Sequence, residues 1–198
     1  GYDAEGAPRF FGRLAAKYRY TTKVPQMLVT HPLPESRIAD TRARAMQFPA
    51  RNLPPALAFE LAQIRVRARY SNRSAADLLL DLRAEENKAE HAVQREAIRY
   101  GIALALFELE RYQEALSYIQ PLRASDSFNL FYLDTFTDVL LKLGRSEEAV
   151  TVLTQEFARR PNNQVITLNL AYAANTAKQF ELTRRVLSNF LIHNKNDL

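Results

Sequence analysis

Residues 144–153 read G-R-S-E-E-A-V-T-V-L, and this stretch decides the fold because it has two relatives in register with it. One relative is E-R-Y-Q-E-A-L-S-Y-I at 110–119, and the other is K-Q-F-E-L-T-R-R-V-L at 178–187, so the three copies start at even intervals. In each copy a small residue is followed four positions later by an aliphatic one, at Ala115, Ala149, Thr183 and at Ile119, Leu153, Leu187. A fixed period of 34 residues, as between the starts at 110, 144 and 178, indicates a repeat protein.

The residues around these stretches predict helical pairs. Small residues also recur at the same spacing upstream, where they allow two helices to approach closely: Ala103, Thr137 and Ala171. Gly144 suits the turn between two helices because glycine adopts a positive φ without steric cost. Pro161 stands where a helix should end. Apolar residues at every third or fourth position give each helix a stripe to bury against the next pair.

This period and pattern resemble the tetratricopeptide (TPR) repeat, a helix-turn-helix unit of about 34 residues. The resemblance implies an all-α fold, a TPR α-solenoid, with three repeats in residues 95–198 at about 95–128, 129–162 and 163–197. A non-repeating helical bundle is the alternative.

In a TPR array the first helix of each pair lines a concave groove. Counting by the repeat, we expect nine side chains to face this groove: Tyr100, Leu104, Phe107, Asp134, Asp138, Leu141, Leu168, Tyr172 and Asn175. Their aromatic, apolar and acidic groups suit an extended peptide or a loop of a partner protein. Packing between the helical pairs is the alternative for several of them.

Residues 51–94 predict a further, degenerate TPR-like helical hairpin, with Pro54 and Pro55 as its boundary. Residues 65–69 alternate with the period of a strand, but the flanking pattern is helical and we favour a helix. Arg65, Arg69 and Arg73 follow one another at helical spacing, which raises the alternative of a nucleic-acid-binding face. We favour a solvated face, since acidic residues follow in the same register at Asp77, Asp81 and Glu85.

Residues 30–45 read T-H-P-L-P-E-S-R-I-A-D-T-R-A-R-A and predict a rigid elbow between two helices. Pro32 disfavours the helical conformation at His31. Pro34 fits the first turn of a helix that runs to about Met46, because its missing N–H has no partner there in any case. The elbow therefore holds the imidazole of His31 clear of both helices. A histidine that caps a local turn is the alternative.

This stretch closely resembles the one that follows the catalytic core in the BepA-like (beta-barrel assembly-enhancing) periplasmic zinc metallopeptidases with TPR repeats. Residues 1–15, G-Y-D-A-E-G-A-P-R-F-F-G-R-L-A, are similar to the last helix of that family's protease domain. The resemblance covers essentially the whole chain, as the C-terminal part of such a protein. It implies that residues 1–50 are a short helical remnant, the C-terminal end of the metallopeptidase domain.

In that family the zinc is bound by an H-E-x-x-H motif and a later glutamate. Residues of this kind would precede Gly1. The resemblance therefore implies that this chain has no catalytic residue and no cofactor of its own. It implies that the parent protein contains zinc. It implies one metal-related role here. His31 can occupy the open zinc position as a regulatory ligand, only when the upstream protease domain is present.

The resemblance also implies a periplasmic location and protein partners, namely unfolded outer-membrane proteins and the barrel-assembly machinery. We therefore expect the substrate- and partner-binding region of a protease that acts in outer-membrane protein assembly and quality control. A stand-alone TPR adaptor for protein–protein interaction is the alternative. Because the chain opens at Gly1 without an initiator methionine or a signal segment, we expect it to be part of a longer protein.

Composition narrows these possibilities. The chain has no cysteine, which excludes disulfides, thiolate metal sites and cysteine nucleophiles. No apolar run reaches the roughly 18 residues that a membrane-spanning helix requires. The net charge of +5 belongs mostly to residues 1–50, which hold 8 basic and 4 acidic side chains, whereas residues 95–198 hold 12 of each. The predicted groove therefore lacks the basic surplus that a nucleic-acid-binding surface normally carries.

Overall fold

A computed structural model of the chain describes residues 3–18, 34–48 and 56–193. All regular structure in these residues is helical, which confirms the all-α prediction. The helices are α1 (Gly6–Tyr18), α2 (Pro34–Ala45), α3 (Leu57–Tyr70), α4 (Ala75–Lys88), α5 (Ala92–Glu108), α6 (Tyr112–Ser125), α7 (Leu130–Lys142), α8 (Ser146–Arg159), α9 (Gln164–Thr176) and α10 (Phe180–His193). The chain divides into two compact units, Gly1–Pro54 and Pro55–Leu198.

The first unit contains α1 and α2, which pack against each other. Asp3 supports the start of α1, since its carboxylate accepts a hydrogen bond from the backbone N–H of Glu5 at 2.9 Å and forms an ion pair with Arg9. The guanidinium of Arg37 on α2 lies over the ring of Phe11 on α1, 5.6 Å from its centroid. Helix α2 begins at Pro34 and ends at Ala45, which confirms the helix predicted after the elbow.

In the second unit, α5 to α10 form three successive helical pairs, and the turn within each pair repeats at the predicted spacing. Glu110, Gly144 and Lys178 occupy the same place in the three repeats, and all three have a positive φ, of 60°, 74° and 60°. In each turn the next residue donates its backbone N–H to a carbonyl five residues back, as Arg145 does to Leu140 at 2.9 Å. This is the Schellman pattern that ends a helix with a left-handed residue. The helical repeat is therefore present in the backbone conformation as well as in the side-chain pattern.

The helix starts repeat as well. Asn129 and Asn163, separated by the same repeat spacing, precede α7 and α9. The side chain of Asn129 accepts a hydrogen bond from the N–H of Phe131, and that of Asn163 accepts one from the N–H of Ile166, both at 3.1 Å. Each asparagine thereby satisfies one of the unpaired donors that every helix start exposes.

The small residues that recur in the sequence lie where helices pack. Ala103, Thr137 and Ala171 on the first helices are buried, and so are Ala115 and Ala149 on the second helices. Thr137 keeps its buried hydroxyl satisfied by donating to the carbonyl of Leu133 at 3.0 Å. A larger side chain at these positions would separate helices whose apolar stripes are already in contact.

Helices α3 and α4 both pack against α5, and Gly101 lies where the two meet it. A Cβ atom at this glycine would lie 2.6 Å from a methyl group of Ile64 on α3 and 3.0 Å from one of Leu82 on α4. Arg67 also joins α3 to α4, because its guanidinium donates to both carboxylate oxygens of Glu85 at 2.9 and 2.8 Å. Residues 65–69 lie within α3, so the helix predicted there in preference to a strand is present.

A buried carboxylate connects the second helices of two adjacent pairs. Glu156 on α8 is only 2% exposed, and it accepts hydrogen bonds from Arg123 on α6 at 2.6 Å and from Arg160 at 2.7 Å. Burial opposes ionisation of this carboxylate, but the two arginines prevail and hold the pKa of Glu156 below its ordinary value. The ion cluster therefore ties α6 to α8.

We predict that glycine at the two non-glycine turn positions stabilises the array. A left-handed residue with a Cβ is strained, so Lys178→Gly and Glu110→Gly should each raise the free energy of unfolding by about 0.5–1 kcal/mol. The matched control is Gly144→Ala, which introduces the same strain and should lower the free energy of unfolding by about 1 kcal/mol. Urea unfolding followed by the helical circular dichroism signal measures all three. A loss of stability in both glycine variants would contradict the turn conformation.

Candidate partner-binding surface

The first helices of the second unit lie side by side in the order α3, α5, α7 and α9, since each contacts the next. We call these four helices the inner row. The helix that connects successive members reverses the chain, so the members of the row run in the same direction. A side chain on one helix therefore lies level with the equivalent side chain on its neighbour.

The nine predicted groove residues lie on α5, α7 and α9, and their exposure rises along that order. On α5, Tyr100 and Leu104 are buried in the core and Phe107 is half-buried against Tyr112, with ring centroids 5.4 Å apart. On α7, Asp134, Asp138 and Leu141 are half-buried. On α9, the side chains are exposed: Leu168, Tyr172 and Asn175. Tyr100 and Leu104 therefore pack between helical pairs, which is the alternative left open above.

A polar network crosses the inner row at Asp134. Arg65 on α3 forms an ion pair with one carboxylate oxygen of Asp134, and the side-chain amide of Asn169 on α9 donates to the other at 2.8 Å. The side chains of Arg65 and Asp134 are only 24% and 16% exposed. Three helices of the row are thus joined by one carboxylate whose two oxygens are both occupied.

Aromatic side chains form the layer beneath this network. The guanidinium of Arg65 lies 5.7 Å from the centroid of Phe131, whose ring meets that of Tyr100 edge to face at 6.0 Å. Thr135 donates to the hydroxyl of Tyr100 at 3.4 Å. Tyr132 donates to Glu96 at 2.8 Å, and burial together with this hydrogen bond raises the pKa of Tyr132. The network therefore rests on a packed layer that restricts its movement.

Asp138, one helical turn after Asp134, lies in a different environment. Among the residues that the structure describes, no hydrogen bond or ion pair reaches its carboxylate. Burial and the neighbouring charge of Asp134 raise the pKa of Asp138 to about 6, against the opposing effect of Arg69, Arg65 and Lys142. Asp138 is thus a half-buried acceptor that lacks a hydrogen-bond donor within the described part of the chain.

The open part of the inner row is an apolar stripe on α9. Val165, Leu168 and Tyr172 are 45%, 42% and 62% exposed, and their spacing of three and four residues puts them on one face of the helix. Asn169, which binds Asp134, lies in the middle of this segment. The apolar stripe therefore lies beside the polar network and adjoins it.

Arg65 and Asn169 were not among the predicted groove residues. In the sequence, Arg65 belongs to a row of arginines with Arg69 and Arg73, and this row suggested a solvated or nucleic-acid-binding face. The structure separates the three, because Arg65 pairs with Asp134 and Arg73 pairs with Asp81. The repeat gave one indication that Arg65 lies near Asp134. Counting two repeat periods back from Asp134 reaches Val66, the neighbour of Arg65.

His31 lies outside the described residues, so its predicted role as a regulatory zinc ligand stays a prediction. Within residues 3–18, 34–48 and 56–193, no three histidine, cysteine, aspartate or glutamate side chains come together as a possible metal-binding group. These residues do not fit a zinc site, and we derive no catalytic step from them. Nor does any helix in the same ranges have the length and apolar character needed to span a membrane.

Comparison with known proteins gives relatives along the entire chain. It is 38% identical over 198 residues to a protein of Vibrio cholerae. It is 36% identical over 197 residues to the beta-barrel assembly-enhancing protease of Escherichia coli K12, and 32% over 199 residues to that of Yersinia pestis. The chain spans about 40% of the length of these relatives. No protein-family model matches it. The resemblance drawn from residues 1–15 and 30–45 is thereby confirmed.

We predict that Arg65 and Asp134 are energetically coupled. Removal of either partner leaves a partly buried charge, so Arg65→Met and Asp134→Asn should each cost about 1–3 kcal/mol of stability. The double variant should cost less than the sum by about 1 kcal/mol or more. Urea unfolding of the four proteins measures the coupling. The control is the exposed pair Arg184 and Glu181, for which we expect a coupling energy of at most about 0.5 kcal/mol.

We predict that Asp138 destabilises the folded chain at neutral pH. Its folded pKa of about 6 lies above its ordinary value of 3.8, so the folded chain holds a proton that the unfolded chain has lost. Stability therefore falls as the pH rises through this window. Asp138→Asn should raise the free energy of unfolding at pH 7.5 by about 1–2 kcal/mol and leave it unchanged near pH 3.5.

Denaturant titrations at both pH values measure this difference. Glu108→Gln, at the exposed end of α5, is the control and should have little effect at either pH. An Asp138→Asn variant that gains no stability at pH 7.5 relative to pH 3.5 would contradict the raised pKa.

Proposed function

Because the whole chain is homologous to part of the beta-barrel assembly-enhancing proteases, we propose that it forms their TPR-like, substrate- and partner-binding region. In this proposal the parent protein is a periplasmic zinc metallopeptidase that acts in outer-membrane protein assembly and quality control. The present chain contributes binding, and catalysis belongs to a zinc-containing domain elsewhere in the parent protein. Its partners are unfolded outer-membrane proteins and components of the barrel-assembly machinery.

The names of the relatives support the cellular role. A protease that enhances β-barrel assembly acts where outer-membrane proteins are assembled, and this favours the periplasm. The helical repeat supports the binding role, since stacked helical pairs present extended surfaces that repeat proteins use to bind other proteins.

The observation that carries the proposal is the exposed apolar stripe of Val165, Leu168 and Tyr172 on the inner row. The equivalent positions on α5 are buried, so the surface is closed at one end and open at α9. Exposed apolar side chains that lie together on one face, beside polar groups, are typical of a protein-binding surface.

The polar network favours binding because it is already formed in the free chain. Asp134 is held by Arg65 and Asn169, and Arg65 lies on the ring of Phe131. A surface that is ordered before the partner arrives loses less conformational entropy on binding. The stripe on α9 is thus presented by a helix whose position relative to α7 and α3 is fixed by hydrogen bonds.

We predict that the chain binds urea-unfolded outer-membrane β-barrel proteins, and that the α9 stripe carries this binding. Replacing Leu168 and Tyr172 with serine should weaken it about tenfold or more, because two apolar contacts are lost. Fluorescence anisotropy after dilution of a labelled unfolded barrel protein measures the affinity.

The matched control is Leu80→Ser on α4, which removes a leucine that is even more exposed than Leu168, at 67% against 42%, from a helix outside the inner row. It should leave the affinity unchanged, and circular dichroism should show that all variants keep their helices. Equal weakening by Leu80→Ser, or no binding by the unchanged chain, would contradict the proposed function.

A further inference from the structure

The spacing of the exposed side chains on α9 matches alternate side chains of a strand, and it equally matches side chains four residues apart on a helix. Leu168 and Tyr172 are four residues apart, which on a helix corresponds to a rise of about 6 Å. Alternate side chains on one face of an extended strand are about 6.6 Å apart. Two neighbouring same-face side chains of a strand that runs along α9 can therefore contact Leu168 and Tyr172 at the same time.

Asp138 lies level with this part of α9. Asp134 is joined to Asn169, and the two helices run in the same direction, so one turn further along Asp138 comes level with Tyr172. Asp134 is occupied by Arg65 and Asn169, whereas the carboxylate of Asp138 has no hydrogen-bond donor among the described residues. A segment on the stripe thus has a free acceptor beside it.

Arg69 on α3 supplies a donor near Asp138. It lies one helical turn after Arg65 on α3, its side chain is exposed, and its charge acts on Asp138. No carboxylate forms an ion pair with Arg69 in the part of the chain that the structure describes. The remaining charged groups that face Asp138 are Asp134 and Lys142 on α7 and Arg65 on α3.

The charges here favour a peptide backbone over a charged side chain. A lysine brought to Asp138 would also meet the positive charges of Arg69 and Lys142, and a carboxylate brought to Arg69 would meet Asp138. In an extended segment each peptide unit presents one N–H donor and one C=O acceptor and no net charge, whereas a helix pairs these groups internally. An extended segment therefore complements a neighbouring aspartate and arginine.

We propose that the inner row binds an extended, strand-like segment of an unfolded protein in which every second side chain is apolar. The apolar side chains contact Leu168 and Tyr172, and the backbone N–H and C=O groups bind Asp138 and Arg69. This inference rests on the proposed function and narrows its partner. Strands of outer-membrane barrels have this alternation, with apolar side chains toward lipid and polar ones toward the interior.

Three synthetic peptides of one composition test the inference with the full chain. The first alternates valine or leucine with threonine or serine, the second groups its apolar residues in one block, and the third spaces them as on a helix. We expect the alternating peptide to bind about tenfold more tightly than the other two in fluorescence anisotropy. Preference for the block or for the helical spacing overturns the inference.

A backbone change and a side-chain change then test Asp138. N-methylation of alternate peptide nitrogens removes donors without changing the side chains, and it should weaken binding of the alternating peptide about tenfold. Asp138→Ala should weaken the unmethylated peptide by a similar factor and leave the methylated one unaffected. Asp138→Asn keeps an acceptor oxygen and should largely restore binding, and Leu80→Ala is the control outside the inner row. Equal loss for both peptides with Asp138→Ala overturns the backbone contact.

The experiment separates this inference from the function on which it rests. If the chain binds unfolded barrel proteins but does not distinguish the three peptides, the inference fails and the proposed function stands. If it prefers the alternating peptide but does not bind unfolded barrel proteins, the proposed partner fails and the strand-like mode of recognition is supported.

Discussion

No helical pair in residues 92–193 buries its apolar stripe by itself, and stacking on the neighbouring pairs is the constraint on which the rest of the structure depends. The pairs must meet at the same positions each time, and the fixed repeat period supplies this regularity. Small residues stand where helices approach, as at Ala115 and Ala149. Left-handed residues stand at each turn, even where the sequence offers Glu110 and Lys178 in place of glycine. Tertiary packing outweighs the local cost of these two turns.

Stacking also produces a graded surface. A first helix with neighbours on both sides loses its inner side chains to packing, as α5 does with Tyr100 and Leu104. On α9, the last member of the row, Leu168 and Tyr172 are exposed. Between them, the carboxylate of Asp134 joins α3, α7 and α9. Burial, an ion pair and an exposed apolar stripe thus follow one another along a single row, in the order of its helices.

The two charged clusters of the second unit join different sets of helices. Asp134 connects first helices, and Glu156 connects the second helices α6 and α8. Both carboxylates are bound by arginine in a partly dry environment, where the loss of one partner is costly. Asp138, by contrast, keeps a half-buried carboxyl without a donor in the described residues, at a cost to stability that is typical of functional sites. Two carboxylates one helical turn apart on α7 thus differ in their partners, since Asp134 is bound by Arg65 and Asn169 and Asp138 is not.

Much of this architecture follows from local pattern. The helix after the elbow, the helical character of 65–69, the turn at Gly144 and the buried small residues all depend on interactions within a few residues or one period. The site was only partly predictable. The groove positions were deduced as one set from the repeat, but the repeat gives the direction of a side chain and not how many neighbours cover it. Arg65 and Asn169 stayed outside the set because their partner, Asp134, lies 69 and 35 residues away from them.

The sequence by itself determined that this chain is an all-helical repeat related to the beta-barrel assembly-enhancing proteases, because period, turn residues and the motif of residues 30–45 are properties of the linear chain. Only the tertiary structure decided which of the repeat-equivalent residues are buried, which are bound and which are exposed. The physical reason is that exposure and electrostatic pairing depend on which helices pack beside a residue. Residues with the same place in the repeat, such as Tyr100, Asp134 and Leu168, consequently have three different roles.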